Sequence, residues 1–204
     1  MEGYGMKRLL SSFSLFLFLF LLSSLPVHAG VPMDTVKANV DKVIEVLRDP
    51  KLKAESAKET KKERLRHIYD DMFDQVELSR RALAQNWNNL NLAQREEFVN
   101  LFRQMLEKAY IDKILAYVDE KVVFDREVQL SGTQAEIQTT VVTSSKKIPV
   151  FYRVNLKGGR WKVYDVIIEN VSLVSNYRTQ FNDILAKNTP EQMLEILRKK
   201  VKGQ

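Results

Sequence analysis

Asp165 is the residue in this chain whose surroundings most invite chemistry. It lies in the run WKVYDVII (161–168), between Tyr164 and Val166. A carboxylate on a half-buried strand must find partners or shift its pKa. Two roles fit it: a general base in an apolar pocket, or a structural acid held by a backbone group or by an arginine such as Arg178. A base needs a second acid or base beside it, and the sequence offers none. His67 is the only histidine beyond residue 30 and falls in a charged helical stretch, as surface histidines do. No Cys/His/Asp/Glu cluster has metal-ligand spacing. There is no G-x-S-x-G elbow and no glycine-rich phosphate loop. Asp70, Asp71 and Asp74, like Glu96 and Glu97, are neighbouring acids without the central glycine of a calcium loop. The residues thus predict no enzyme, no metal and no cofactor.

The elements around Asp165 are more telling. Beyond residue 120 the apolar period changes from helical to alternating. Four strands are expected at 121–130, 134–144, 147–157 and 160–170, separated by Ser131-Gly132, Ser144–Lys146 and Gly158-Gly159. Such short connections make an antiparallel meander, since parallel strands need long crossovers. In the third strand Ile148, Val150, Tyr152, Val154 and Leu156 share a side. In the fourth, simple alternation puts Trp161, Val163 and Ile167 on one side and Tyr164, Val166 and Ile168 on the other. A sheet apolar on both faces must be covered twice, or covered once and left to line a cavity. The expected fold is therefore α+β: N-terminal helices, a curved four-stranded meander and two C-terminal helices enclosing an apolar cavity.

Helices are expected at 34–48, where Val36, Val40, Val43, Ile44 and Leu47 form a stripe, and at 76–85. The charged stretch KLKAESAKETKKER between them reads as a solvated helix start or a connector. Asn91 with Gln94, and Thr189 with Gln192, have the spacing of capping boxes. The first opens a helix running to about residue 117 through Phe98, Phe102, Met105 and Tyr110; the second opens the last helix, with Pro190 at its first position. A further helix at 172–186 carries Val174, Tyr177, Phe181 and Ile184.

At the N-terminus, Lys7 and Arg8 precede the apolar run 13–22. Pro26 then breaks the run, and Val27-His28-Ala29 places small residues where signal peptidase cuts. Residues 1–29 are read as a cleaved export signal and 30–204 as one domain. The chain lacks cysteine, so no lipobox thiol can be acylated and no disulfide can brace the fold; an apolar core must hold it. Of the net charge of +6, residues 1–29 carry +1, leaving +5 on the remainder. This excess suits acidic partners or anionic membrane surfaces, and equally suits plain solubility. Without aromatic interleaving, the basic residues do not suggest nucleic acid.

The segment RWKVYDVIIENVSLVSNYRTQFNDIL resembles the C-terminal signature of the MlaC family, the toluene-tolerance auxiliary components. The family form is close to G-W-K-V-Y-D-V-x-I-E-G-V-S-L-V-x-N-Y-R-x-Q-F, and Trp161, Tyr164, Asp165, Glu169, Ser172, Asn176, Tyr177, Arg178 and Phe181 are among the matches. Asn170 stands where the family more often has glycine. The resemblance implies a soluble, monomeric periplasmic carrier of phospholipid. Its partners would be an inner-membrane ABC transporter complex with an MCE-domain subunit and an outer-membrane lipoprotein complex. It also implies a deep apolar cavity, with Phe98, Phe102, Tyr110, Val150, Tyr152, Trp161, Val163 and Tyr177 as candidate walls. Arg153 and Arg178 are candidates for a mouth that pairs with phosphate. Two other classes stay open: a small-molecule enzyme of cone-shaped α+β fold using Asp165, and a periplasmic adaptor that binds only proteins.

Overall fold

A computed structural model describes residues 31–117 and 120–203; the expected export signal lies outside them. Helix α1 (Pro32–Arg48) buries Pro32, Val36 and Val40, with Asp34 in its first turn and Arg48 in its last, each sign suited to the helix dipole. Asp49 caps a short 3-10 turn, and the charged stretch becomes α2 (Lys58–Met72), laced by the pairs Lys58–Glu55 and Lys62–Glu59, both at 3.0 Å. Asp74 caps α3 (Gln75–Leu83) by accepting from the Glu77 N–H at 3.1 Å. This helix stops two residues before the sequence predicts, because Ala84 turns to φ +50° and a 3-10 segment follows. The capping boxes form as the spacing requires, opening α4 (Leu92–Leu115) and α6 (Pro190–Lys202). Ser172 caps α5 (Leu173–Leu185).

The strands are β1 (Lys121–Ser131), β2 (Gln134–Val142), β3 (Lys147–Lys157), β4 (Arg160–Ile168) and β5 (Val171–Ser172), paired antiparallel in chain order. Among the described residues the meander thus has five strands, not four. The fifth is a two-residue strand after a tight turn at Glu169 and Asn170, with φ of +49° and +67°. Asn accepts the left-handed region; glutamate does so at a cost. Glu169→Gly is expected to raise stability by about 0.5–1 kcal/mol, part of the strain relief being lost to unfolded-chain entropy. Urea unfolding midpoints of the two proteins check this.

A second departure concerns which side chains share a face. Arg153 pairs with Asp165 and Val154 with Val163, so Tyr164 is an extra residue in β4. A bulge of one residue reverses the alternation beyond it. Val166 and Ile168 therefore join Trp161 and Val163 on one face, contrary to simple alternation, while Ile167 turns to the other with its partner Phe151. A similar shift at Asp125 in β1 brings Glu127 onto the same face as Val122 and Phe124.

Among the described residues, two apolar cores result. One is helical: Leu83, Phe98, Phe102, Tyr177, Phe181, Met193 and Leu197 from α3, α4, α5 and α6. The other is the sheet face, where Ala135, Ile137, Val150, Val154, Val163 and Val166 meet Val36 and Val40 of α1 and Met72 of α2. Among the described residues, α1 and the end of α2 cover this face and Leu173 at the start of α5 touches it, while α4 and α6 pack in the helical core. Phe73 touches both cores, and its chain bonds to β4, the Asp74 N–H donating to the Val163 carbonyl at 2.8 Å.

Candidate functional site

The sheet face gathers four of the eight candidate wall residues. Val150, Tyr152, Trp161 and Val163 lie in one apolar cluster, placed there by β3, β4 and the bulge between their registers. Thr139 is the buried polar residue within it, and its hydroxyl donates to the Val150 carbonyl at 2.6 Å. Tyr152, opposite Ile137 on β2, is unusual: desolvation pushes its phenol up to about 12, aided by the Tyr117 phenol, yet its side chain keeps accessible surface. Trp161 is only 7% exposed, and its indole Nε1 has no hydrogen-bond partner. Phe124, Ile148, Leu156 and Ile168 extend the face and are only partly covered.

The other four candidates are elsewhere. Phe98, Phe102 and Tyr177 are packed with Phe181 in the helical core, with centroid distances of 4.9 Å for Phe102–Tyr177 and 5.1 Å for Phe98–Phe181. Tyr110 flanks that core, with the Lys113 ammonium 5.2 Å from its ring centre. The structure therefore does not unite the aromatic stripe of α4 with the sheet face into one wall.

Nor do the two arginines form a pair at a mouth. Arg178 donates through Nε and Nη2 to the carbonyl of Arg81, at 3.0 and 2.9 Å, holding the last turn of α3. Of the alternatives open to Asp165, the backbone partner is realised and the Arg178 pair is not. Arg153 projects from the other face of β3, 3.1 Å from Glu136 and 3.8 Å from Asp165. Arg81 lies over the Tyr164 ring at 3.9 Å.

Asp165 has the structural role. Buried to 3% exposure, it accepts from the Ser172 hydroxyl at 2.7 Å and the Val174 N–H at 3.1 Å, so it ties β4 to the start of α5. Removing it would strand a buried N–H. Asp165→Ala is expected to cost about 2–3 kcal/mol of stability, read from urea denaturation. His67 is exposed, with Glu63 at 3.7 Å, and no group of acids, cysteines or histidines among the described residues can hold a metal ion. Asp70 and Glu97 are taken up by Arg103 at 3.2 Å and Arg198 at 2.6 Å.

The sequence reading missed Glu127, whose carboxylate accepts from the Met33 N–H at 2.9 Å and so fixes the first turn of α1 over the sheet. Its signal is positional: an acid in β1 turned onto the apolar face by a bulge. Surface clefts are also present among the described residues. One of about 400 Å³ is lined by Glu45, Val46, Arg48, Asp49, Pro50 and Arg64; another, about 310 Å³, by residues from Leu52 to Lys61 with Asp112, Leu115 and Ala116. Neither contains a candidate wall residue, so neither is the expected apolar chamber. No helix among the described residues is long and apolar enough to cross a membrane.

Comparison with known proteins bears on this arrangement. The chain is 24% identical over 175 residues to toluene tolerance protein ttg2D of Pseudomonas putida, covering 83% of this chain and 81% of that one. It is 23% identical over 128 residues to the intermembrane phospholipid transport system binding protein MlaC of Haemophilus influenzae, covering 59% and 60%. Its fold matches a phospholipid-binding protein from Ralstonia solanacearum, solved in complex with a phospholipid. The TM-score is 0.76 at 20% identity, over 85% of this chain and 98% of the other. The family model described as MlaC protein matches residues 37–199, and the chain belongs to that family.

Proposed function

We propose that this chain is a periplasmic phospholipid carrier that takes lipid tails against the sheet face beneath α1. It would pass them between an outer-membrane lipoprotein complex and an inner-membrane ABC transporter complex with an MCE-domain subunit. The observation that carries this reading is the sheet face itself: a large apolar surface beneath α1 and the end of α2, whose members Phe124, Ile148, Tyr152, Leu156 and Ile168 are only partly buried. The fold shared with a protein solved with phospholipid supports it.

The energetics demand enclosure. A diacyl lipid carries on the order of 30 methylenes, so exposing its tails to water costs about 24 kcal/mol at roughly 0.8 kcal/mol each. A carrier must match the bilayer interior closely as a solvent, leaving a small difference for partners on either side to bias. The sheet face suits this, because its buried members are apolar apart from the self-satisfied Thr139 and the indole N–H of Trp161.

The enzyme alternative has no observation in its favour, since Asp165 is committed to Ser172 and Val174. Residues 30–204, purified without detergent, are expected to release close to one phospholipid per chain into an organic extract, as read by mass spectrometry. A folded protein that releases none, and takes up none from vesicles, would sink the proposal and favour a protein-binding adaptor. Undiminished lipid transfer by Asp165→Asn would dispose of the enzyme.

A further inference from the structure

Trp161 presents a problem that packing alone does not solve. Its indole N–H can only donate, it is buried among Val154, Leu156 and Val163, and it meets no acceptor. Buried polar groups in native proteins are almost always paired. The Thr139 hydroxyl on the same face obeys that rule by bonding the Val150 carbonyl, and the carboxylates of Asp165 and Asp74 accept from Val174 and Lys157; Asn155 Oδ1, an acceptor on the opposite face of β3, is the other unmatched buried atom among the described residues. An unmatched donor on this face points to an acceptor that arrives with the ligand.

The chemistry of that acceptor is constrained. Trp161 is 7% exposed on an apolar face, so a phosphate brought to its N–H would have to shed its water, and the nearby Lys157 and Lys162 are already bonded to Asp74 and the Asp71 carbonyl. An uncharged carbonyl oxygen needs no counterion and takes one N–H well. Building on the carrier reading above, we infer that Trp161 Nε1 donates a hydrogen bond to an acyl-ester carbonyl of the bound lipid. The site then recognises the ester junction between tail and head group rather than the head group itself.

The test uses two probes that differ only at that junction: dipalmitoyl phosphatidylglycerol and its dihexadecyl ether analogue, presented together in equimolar vesicles. Lipid taken up by the delipidated protein is extracted and the two species are compared by mass spectrometry. The wild-type protein is expected to favour the ester lipid by about tenfold. Trp161→Phe, which keeps an aromatic ring but no donor, is expected to carry both lipids nearly equally. The same ratio in both proteins overturns the hydrogen bond while leaving the carrier intact; uptake of neither lipid by the wild type overturns both. If Trp161→Phe does not fold, the indole N–H resonance of isotope-labelled protein decides, with Trp87→Phe assigning the signal. A downfield shift with the ester lipid alone supports the bond, and an identical resonance with both lipids rejects it.

Discussion

Replacing Phe181 with alanine is expected to lower the stability of the protein by about 3–5 kcal/mol. The ring is 1% exposed and lies 5.1 Å from both Phe98 and Phe102 and 5.9 Å from Tyr177. Its edge-to-face contacts with the first two add to the area they bury. The ring joins α5 to Phe98 and Phe102 of α4 within a core that also holds Leu83 of α3 and Met193 and Leu197 of α6, so alanine would leave a cavity in packed surroundings. Urea unfolding with a common m-value would measure the loss. The number also locates the lipid. A change below about 1 kcal/mol, accompanied by loss of bound lipid, would mean that the aromatic stripe of α4 faces a pre-existing void. The site would then lie in the helical layer and not at the sheet.

What could be read from the residues alone divides along physical lines. The caps at Asn91 and Thr189 were legible because a capping box is a local event, decided within four residues. The strand boundaries followed from glycines and short polar turns, as at Gly158 and Gly159, where both φ values are positive. The bulge at Tyr164 was not legible. Its extra residue is defined by the partner strand, and the alternation of β4 alone gives no sign of it. The destination of Arg178 was hidden for a similar reason, since the carbonyl of Arg81 becomes a free acceptor only where α3 ends. Periodicity showed that Phe98, Phe102, Val150 and Trp161 would be buried. It does not say against what, and they divide between two cores. Asp165 fell on the structural side of its two readings because Ser172 and Val174 follow it around the β4–β5 turn.

Tyr152→Asp is expected to reduce retained phospholipid by about tenfold or more at neutral pH while leaving a folded protein, because a carboxylate set among lipid tails has no partner to offset its desolvation. Tyr152 is suited to the experiment. It lies at the depth where its own phenol is pushed up to about 12, yet it keeps accessible surface, so the shorter aspartate can be hydrated once the lipid has left. Tyr152→Phe removes only the hydroxyl and is expected to retain lipid as the wild type does. The effect of aspartate carries a pH signature. Desolvation raises a carboxyl pKa above the unfolded value of about 3.9. The neutral acid tolerates the tails, so retention should recover as pH falls through the raised value. Stability follows the same sign: it is greatest below the unfolded pKa and is lost as pH rises through the folded one. Lipid per chain, measured by extraction across that range beside circular dichroism of the same samples, separates expulsion of the ligand from unfolding. An aspartate variant that holds its lipid unchanged at neutral pH would place the acyl chains away from β3, and with them the proposed site.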